Sequence, residues 1–289
     1  MLKKLYYKLP TLYQNYLNKA ASKLANNAEE AFIYDDSGKN YNLSSKDKEN
    51  IVKRIKNALG KIDSATSIDV HLELGKRILN LPKNDGSIVE CGCYQGASTV
   101  SLSIFSKIVG KNLIIYDSFE GLPEPKGTPD LHEFVGKGSF KSTGITDISN
   151  LLKKSGCESA RLKLVSGYFD ESLTEDLKND LGFPKASIVN IDVDYYSSTI
   201  DVLNWIEDLL YDGSLIYFDD INFYNRNPSK GQVKAINEFN GLRKNAGLAA
   251  MPGLDRFERV YVYWRNDDQS NENLKFWVLD WLKKLESVI

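Results

Sequence analysis

The chain has 289 residues, with 37 Lys or Arg against 39 Asp or Glu, for a net charge of −2. That balance excludes the overall basic excess by which nucleic-acid binders neutralise phosphates. Hydrophobic residues at 42% and charged residues at 26% fit a globular protein long enough for one large α/β domain with an appendage.

The first 17 residues place Leu5, Leu9, Leu12 and Tyr16 on one helical face, interrupted near Pro10. This reads as a peripheral helix packing on the domain in preference to one lying on a membrane surface. The basic start lacks the apolar stretch of a signal peptide, and no run of about 18 apolar residues occurs, so no transmembrane segment and a cytoplasmic setting are expected. Asp35-Asp36-Ser37-Gly38 is a turn signal. Ser44 or Ser45 can cap a helix carrying Ile51, Val52, Ile55, Ala58 and Leu59 that stops at Gly60. Ser67 can cap another carrying Ile68, Leu72, Ile78 and Leu79. Residues 1–85 therefore read as a helical N-terminal extension or lid, and 86–289 as the main domain.

From Ser87 the pattern changes to short apolar runs alternating with amphipathic stretches. The runs are Ile88-Val89, Asn112 to Tyr116, Leu162 to Val165, Ala186 to Ile191 and Ser214 to Phe218. Helices are expected over Ala97 to Val109, Ile145 to Lys154, Glu171 to Asp180 and Ser198 to Leu210, the last with a capping box at Ser198 to Asp201 and Gly213 as its stop. A helix near Gly231 to Leu242 precedes two late strands, Leu248 to Met251 and Arg259 to Trp264, and a helical tail over Asn273 to Leu285 bearing Trp277 and Trp281. Alternating strand and helix predicts a doubly wound, Rossmann-like, mostly parallel sheet of seven strands.

Ligands of open α/β sheets sit beyond the carboxyl ends of the strands, and here those ends carry acidic groups or glycine turns. The first ends in Glu90-x-Gly92-x-x-x-Gly96. That spacing does not fit a dinucleotide fingerprint, and Glu90 would repel a pyrophosphate. A cationic or zwitterionic ligand suits it better. Asp117, 25 residues after Gly92 at the end of the second strand, can accept both hydroxyls of a ribose. Together these read as a site for S-adenosylmethionine, with Glu90 and Gly92 toward the amino-acid part and Phe119 and Tyr168 toward the adenine. The cofactor set comprises Glu90, Gly92, Tyr94, Gly96, Ser98, Asp117, Ser118, Phe119, Tyr168, Phe169 and Asp192.

Asp192 and Asp194 end the fourth strand, and Asp219 and Asp220 the fifth. Converging carboxylates repel unless a cation sits between them, and hard oxygen ligands suit Mg²⁺. Such an ion lowers the pKa of a bound hydroxyl, and a spare carboxylate can take the proton. The bland alternative is that Asp219 and Asp220 cap the following loop. With only His71 and His132 in the chain, carboxylates are the more available bases. Cys91, Cys93 and Cys157 cannot all pair, and Cys91-Gly92-Cys93 is one Cys short of a zinc spacing.

These residues carry a family resemblance. Val89 to Ser98 (VECGCYQGAS), Asp117-Ser118-Phe119-Glu120-Gly121-Leu122-Pro123, Gly167 to Leu173 (GYFDESL), Asp192 to Thr199 (DVDYYSST) and Asp219-Asp220 occur in order in a stretch, roughly Ser87 to Arg265, that resembles the macrocin O-methyltransferase family of metal-dependent class I methyltransferases. The resemblance implies a class I methyltransferase domain over 86–289. It implies methyl transfer from S-adenosylmethionine to a hydroxyl, often on a sugar of a natural product. It also implies Asp192, Asp219 and Asp220 as Mg²⁺ ligands, and Asp192 or Asp194 as the base. The chain departs from the family at Gly213-Ser214-Leu215, where paired glycines are usual, and before Ser87, which is longer and more polar. Catechol-type relatives place a lysine shortly after the first metal aspartate, where this chain has Tyr195 and Tyr196.

Two rival readings follow from the same residues. Asp192-x-Asp194 after an apolar strand is also how some glycosyltransferases hold a metal and a nucleotide sugar, and a non-catalytic S-adenosylmethionine-binding protein would share the fold. The expected partners are a small-molecule or glycan acceptor and, through the terminal helices, a second copy of the chain as a homo-oligomer. Glu124 to His132, with Pro125, Gly127 and Pro129, reads as a long mobile lid or a plain surface loop. His132 reads as a substrate contact or, more commonly for a lone loop histidine, a solvent-exposed side chain, and Phe223, Tyr224 and Arg226 as acceptor-pocket or loop-packing residues.

Overall fold

The computed structural model describes residues 27–266, except 63, 65, 84–85, 158–159, 183–184 and 252–258. The expected helices at the start and over Asn273 to Leu285, with Trp277 and Trp281, lie outside the described residues.

Short buried apolar runs become strands and the amphipathic stretches between them become crossover helices. After helical turns over 27–34, the order is α1 (Ser45–Leu59), α2 (Ile68–Leu79), β1 (Ser87–Cys91), α3 (Ala97–Val109), β2 (Leu113–Asp117), α4 (Ile145–Lys154) and β3 (Leu162–Ser166). There follow α5 (Phe169–Ser172), α6 (Glu175–Leu181), β4 (Ala186–Ile191), α7 (Tyr196–Ile206), a 3₁₀ turn (Glu207–Leu209) and β5 (Leu210–Phe218). Last come α8 (Gly231–Gly241), β6 (Ala246–Ala250) and β7 (Val260–Arg265).

The seven strands run β3-β2-β1-β4-β5-β7-β6. β1 to β5 are parallel, and β7 runs antiparallel to both β5 and β6. β1, β2 and β4 are buried along their whole length, which is why their sequences are mostly apolar and show no strict alternation with polar residues. The chain winds outward from β1 to β3, then crosses back to β4 and continues the other way. The switch point therefore lies between the carboxyl ends of β1 and β4, where a crevice opens.

On one face of the sheet, Phe32, Ile51, Ile55, Leu72 and Ile78 share a single core with Phe105 of α3 and with Ile88 and Leu113 of the sheet. The described part of the N-terminal region is thus packed on the sheet through α3. α1 begins with a full capping box: Ser44 Oγ accepts from the Asp47 amide at 3.2 Å, and Asp47 accepts from the Ser44 amide at 2.9 Å.

Three local expectations need correction. The helix expected over Glu171 to Asp180 is two helices, α5 and α6, because Thr174 Oγ1 caps a fresh start by accepting from the Leu177 amide. The helix expected from Ser198 begins two residues earlier, at Tyr196, with no side-chain cap of its own. Its early amide at Ser197 donates instead to Asp130 Oδ1 at 3.0 Å, a carboxylate 67 residues away. Gly213 does not end a helix; it lies within β5 at φ 87°.

Candidate active site

One cavity of about 510 Å³ opens along the carboxyl edge of the sheet, in the range of small-molecule sites. Its wall takes residues from the turn after β1, the ends of β2 to β5, the start of α7, and Ser64 and Thr66 from the N-terminal region. Of the residues singled out in the sequence, Gly92, Tyr94, Ser98, Asp117, Ser118, Tyr168, Phe169, Asp192, Asp194, Asp219 and Asp220 line it. Glu90, Gly96 and Phe119 are not on the wall.

The turn after β1 is shaped by close backbone approach. Gly92 has φ 86°, and a Cβ built there would lie 1.8 Å from the Asp192 carbonyl oxygen. Only glycine lets the β1 turn pass against the end of β4. Asp117 organises the same turn: one carboxylate oxygen accepts from the Cys93 amide at 2.6 Å and the Tyr94 amide at 3.3 Å, the other from the Phe119 amide at 2.6 Å. Carboxylate oxygens carry two lone pairs each, so the group retains acceptor capacity for a ligand.

Glu90 lies beneath the turn, fully buried, with Thr99 Oγ1 donating to it at 2.6 Å. Burial raises its pKa to about 7, against hydrogen bonds from Ser98 and Thr99 that favour the charged form. Phe119 is also buried, 5% exposed, in a left-handed conformation at φ 58°. Both are buried off the cavity wall.

Across the cavity, Asp192, Asp219 and Asp220 each bring a carboxylate oxygen within 4.8 Å of the others. Burial, followed by repulsion from Asp219, Asp220, Asp194 and Glu90, holds the Asp192 carboxyl well above the usual carboxylate range. Burial, then Asp220 and Asp219, does the same to Asp194. Asp220 rises to about 7 through burial and Asp219, although the Asp194 amide and the Arg259 charge pull it down. Crowded carboxylates that raise one another's pKa form a hard oxygen donor set, and a divalent cation such as Mg²⁺ would relieve the crowding.

Several residues that frame this cluster were not visible in the sequence. Gln232, 1% exposed on α8, accepts from the Asp220 amide at 2.9 Å and donates to the Ile191 carbonyl at 3.0 Å, tying the ends of β4 and β5 together. The Asp194 amide donates to Asp220 Oδ2 at 2.8 Å. Arg259 Nη1 donates to Asp219 Oδ1 at 2.5 Å and to the Tyr217 hydroxyl at 3.0 Å. Lys126 closes another stretch of wall, with ion pairs to Asp170 at 2.8 Å and Asp201 at 3.6 Å.

The loop from Glu124 to His132, expected to be mobile or a plain surface loop, is fastened. Asp130 is fully buried and accepts from the Lys126 and Ser197 amides. Its own carbonyl accepts from the Tyr224 hydroxyl at 2.8 Å, and the Pro129 carbonyl from the Gly231 amide. His132 is not a free loop histidine: its ring stacks on Phe223, centroids 4.2 Å apart and 12° from parallel. Phe223 lines the cavity, Tyr224 packs behind it, and Arg226 donates to Asn222 Oδ1. Cys91, Cys93 and Cys157 are free and buried. Among the described residues, no helix is long and apolar enough to cross a membrane.

Comparison with known proteins adds to this geometry. The sequence profile of the family described as macrocin-O-methyltransferase (TylF) matches residues 75–266. Among solved structures, the calicheamicin methyltransferase CalS11 superposes with a TM-score of 0.54 at 19% identity, over 76% of this chain and 93% of that one. The Podospora anserina methyltransferase PaMTH1, bound to SAH, gives 0.49 at 17% identity over 75% and 88%. The O-methyltransferase NovP gives 0.46 at 18% identity over 77% and 80%. The likeness to CalS11 is one of fold. No curated protein sequence matches the chain.

Proposed function

The chain belongs to the macrocin-O-methyltransferase family and is an S-adenosylmethionine-dependent O-methyltransferase, and from that premise we propose that it methylates a sugar hydroxyl held on Mg²⁺. The observation that carries the proposal is the meeting of Asp192, Asp219 and Asp220 within 4.8 Å, in the same cavity as Gly92 and Asp117. The sugar acceptor is carried over from one structural neighbour, CalS11, described as a calicheamicin methyltransferase and a TDP-rhamnose 3'-O-methyltransferase. Residues 86–289 would form the methyltransferase domain, with 1–85 as its helical extension.

When bound, the sulfonium supplies an electrophilic methyl, and the divalent ion lowers the pKa of a hydroxyl attached to it. The rest falls to this chain's residues. Asp117 and the turn at Gly92 to Gln95 hold and orient the methyl donor. Asp192, Asp219 and Asp220 would hold the cation. That leaves Asp194, on the same wall, to take the hydroxyl proton. Rate acceleration in such a site comes from positioning and electrostatics, since no covalent enzyme intermediate is needed. The glycosyltransferase reading of Asp192-x-Asp194 leaves Asp117 and its grip on the β1 turn without a role.

The test is calorimetric titration with S-adenosylmethionine, then transfer of labelled methyl to a panel of glycosides, with Mg²⁺ and with chelator. Micromolar cofactor binding and methylation of a sugar hydroxyl that chelator abolishes are expected. Methyl transfer undiminished by chelator would overturn the metal assignment. Methylation of acceptors lacking any sugar, with the glycosides left untouched, would overturn the acceptor class.

A further inference from the structure

Asp192, Asp219 and Asp220 differ in what holds each of them. Asp220 is held by uncharged groups, the Asp194 amide and the Gln232 side chain. Asp219 is held by a cation. Arg259 Nη1 sits 2.5 Å from Asp219 Oδ1, and the two side chains are only 14% and 16% exposed.

The arginine is itself fixed. Its carbonyl accepts the Phe218 amide at 3.0 Å, in the residue before β7 begins. Its guanidinium also donates to the Tyr217 hydroxyl and lies 5.8 Å from the centroid of that ring. β7 is antiparallel to β5, with Val260 opposite Tyr217, so the start of β7 falls beside the carboxylate-bearing end of β5. Arg259 is also part of the cavity wall. A guanidinium keeps its charge at any pH the fold withstands. It therefore acts as a permanent positive charge, in contact with one member of the metal cluster.

Two consequences follow. One Asp219 oxygen already accepts from the guanidinium, which weakens it as a donor to a metal ion and favours coordination through the other. The fixed charge also opposes a divalent cation arriving at the same carboxylate, and this repulsion is strong where solvent screening is weak. We propose that Arg259 is a positioning residue that fixes Asp219 as a one-oxygen donor and keeps Mg²⁺ binding weak and exchangeable. The inference rests on the metal-dependent reading given above. Its functional sense is turnover: a methylated product must leave the site, and a cluster of unopposed carboxylates would retain its ion and whatever is bound to it.

The experiment is titration of the full chain with Mn²⁺ as the probe, following free Mn²⁺ by electron paramagnetic resonance, on wild type, Arg259→Gln and Arg259→Lys. S-adenosylmethionine affinity serves as the folding control. In Arg259→Gln, Mn²⁺ should bind at least tenfold tighter while kcat falls, with cofactor affinity unchanged. Arg259→Lys keeps the charge but not the two-donor fork, so Mn²⁺ affinity should stay within about twofold of wild type and kcat should fall. Unchanged or weaker Mn²⁺ binding in Arg259→Gln overturns the inference. If that variant does not fold, a tenfold affinity change in Arg259→Lys overturns it equally. Wild-type protein that takes up no Mn²⁺ would sink the metal-dependent reading and this inference with it, whereas wild-type uptake with an unresponsive Arg259→Gln sinks the inference alone.

Discussion

Asp194 is held in a left-handed backbone conformation, φ 57°, with its amide donated to Asp220. Non-glycine residues adopt that region at a cost on the order of 1 kcal/mol, and strain of this kind gathers at functional sites. Asp194 is not among the three carboxylates that converge within 4.8 Å, and the proposed mechanism assigns the hydroxyl proton to it. Asp194→Asn should lower kcat by about 10²- to 10⁴-fold, the usual contribution of a positioned base, while Mn²⁺ and S-adenosylmethionine affinities hold. Methyl-transfer assays alongside the two titrations check this, and an active variant would move the base elsewhere. At this scale the sequence was informative where chemistry ends a parallel strand. Gly92, Asp117, Asp192 and Asp219 to Asp220 are all such residues, and all line the cavity. It was silent on Arg259 because β7 is antiparallel. In an antiparallel neighbour the start of the strand, not its end, reaches the carboxyl edge. Gln232 was hidden for a related reason, since its partners Ile191 and Asp220 lie on two other elements.

Between elements, two contacts decide how the site is assembled. The first is the Gly92 passage against the Asp192 carbonyl. In Gly92→Ala, the methyl would have to displace the end of β4 and also bear a positive φ. Cofactor affinity should drop at least tenfold and stability by about 2–4 kcal/mol, measured by calorimetry and denaturant unfolding. Unaltered cofactor binding would mean that the two turns are not in register as described. The second contact is Asp130 with the start of α7. Asp130→Ala would strand the buried Ser197 amide and the part-buried Lys126 amide, costing about 2 kcal/mol. Acceptor KM should rise more than cofactor KM, because the segments it anchors carry Lys126 and Phe223 of the cavity wall and none of the residues assigned above to the methyl donor. Equal stability of the variant and wild type would contradict this. The same contact explains why α7 was misplaced. Ser198 to Asp201 has the local form of a capping box, but Asp130 supplies a partner from 67 residues away. A pattern search along the chain cannot see a distant side chain that satisfies the first turn.

For the molecule as a whole, alternating runs and the strand-end residues were enough to read a doubly wound sheet, because burial on both faces makes β1, β2 and β4 short, mostly apolar segments. The site sits at the switch point of that sheet, and Glu90 lies under it, fully buried. Burial raises its pKa from 4.5 to about 7, so the folded state holds this proton more tightly than the unfolded chain. The stabilisation is fully present below pH 4.5 and is lost as pH rises through 7. Its loss is on the order of 3 kcal/mol. Glu90→Gln cannot ionise, so its unfolding free energy should fall less than that of wild type between pH 5 and 8, as denaturant titrations would measure. Parallel curves for the two proteins would mean that Glu90 ionises in the fold as freely as in the unfolded chain. The fastening at Asp130 bears on how such an enzyme could be redesigned. Asp130 joins the loop after β2, the start of α7 and, through Tyr224, the connection after β5. These three segments are distant in sequence but are tied together at this single residue. Grafting any one of them from a relative would leave its anchors unmatched, so acceptor preference should transfer only when all three are transplanted together.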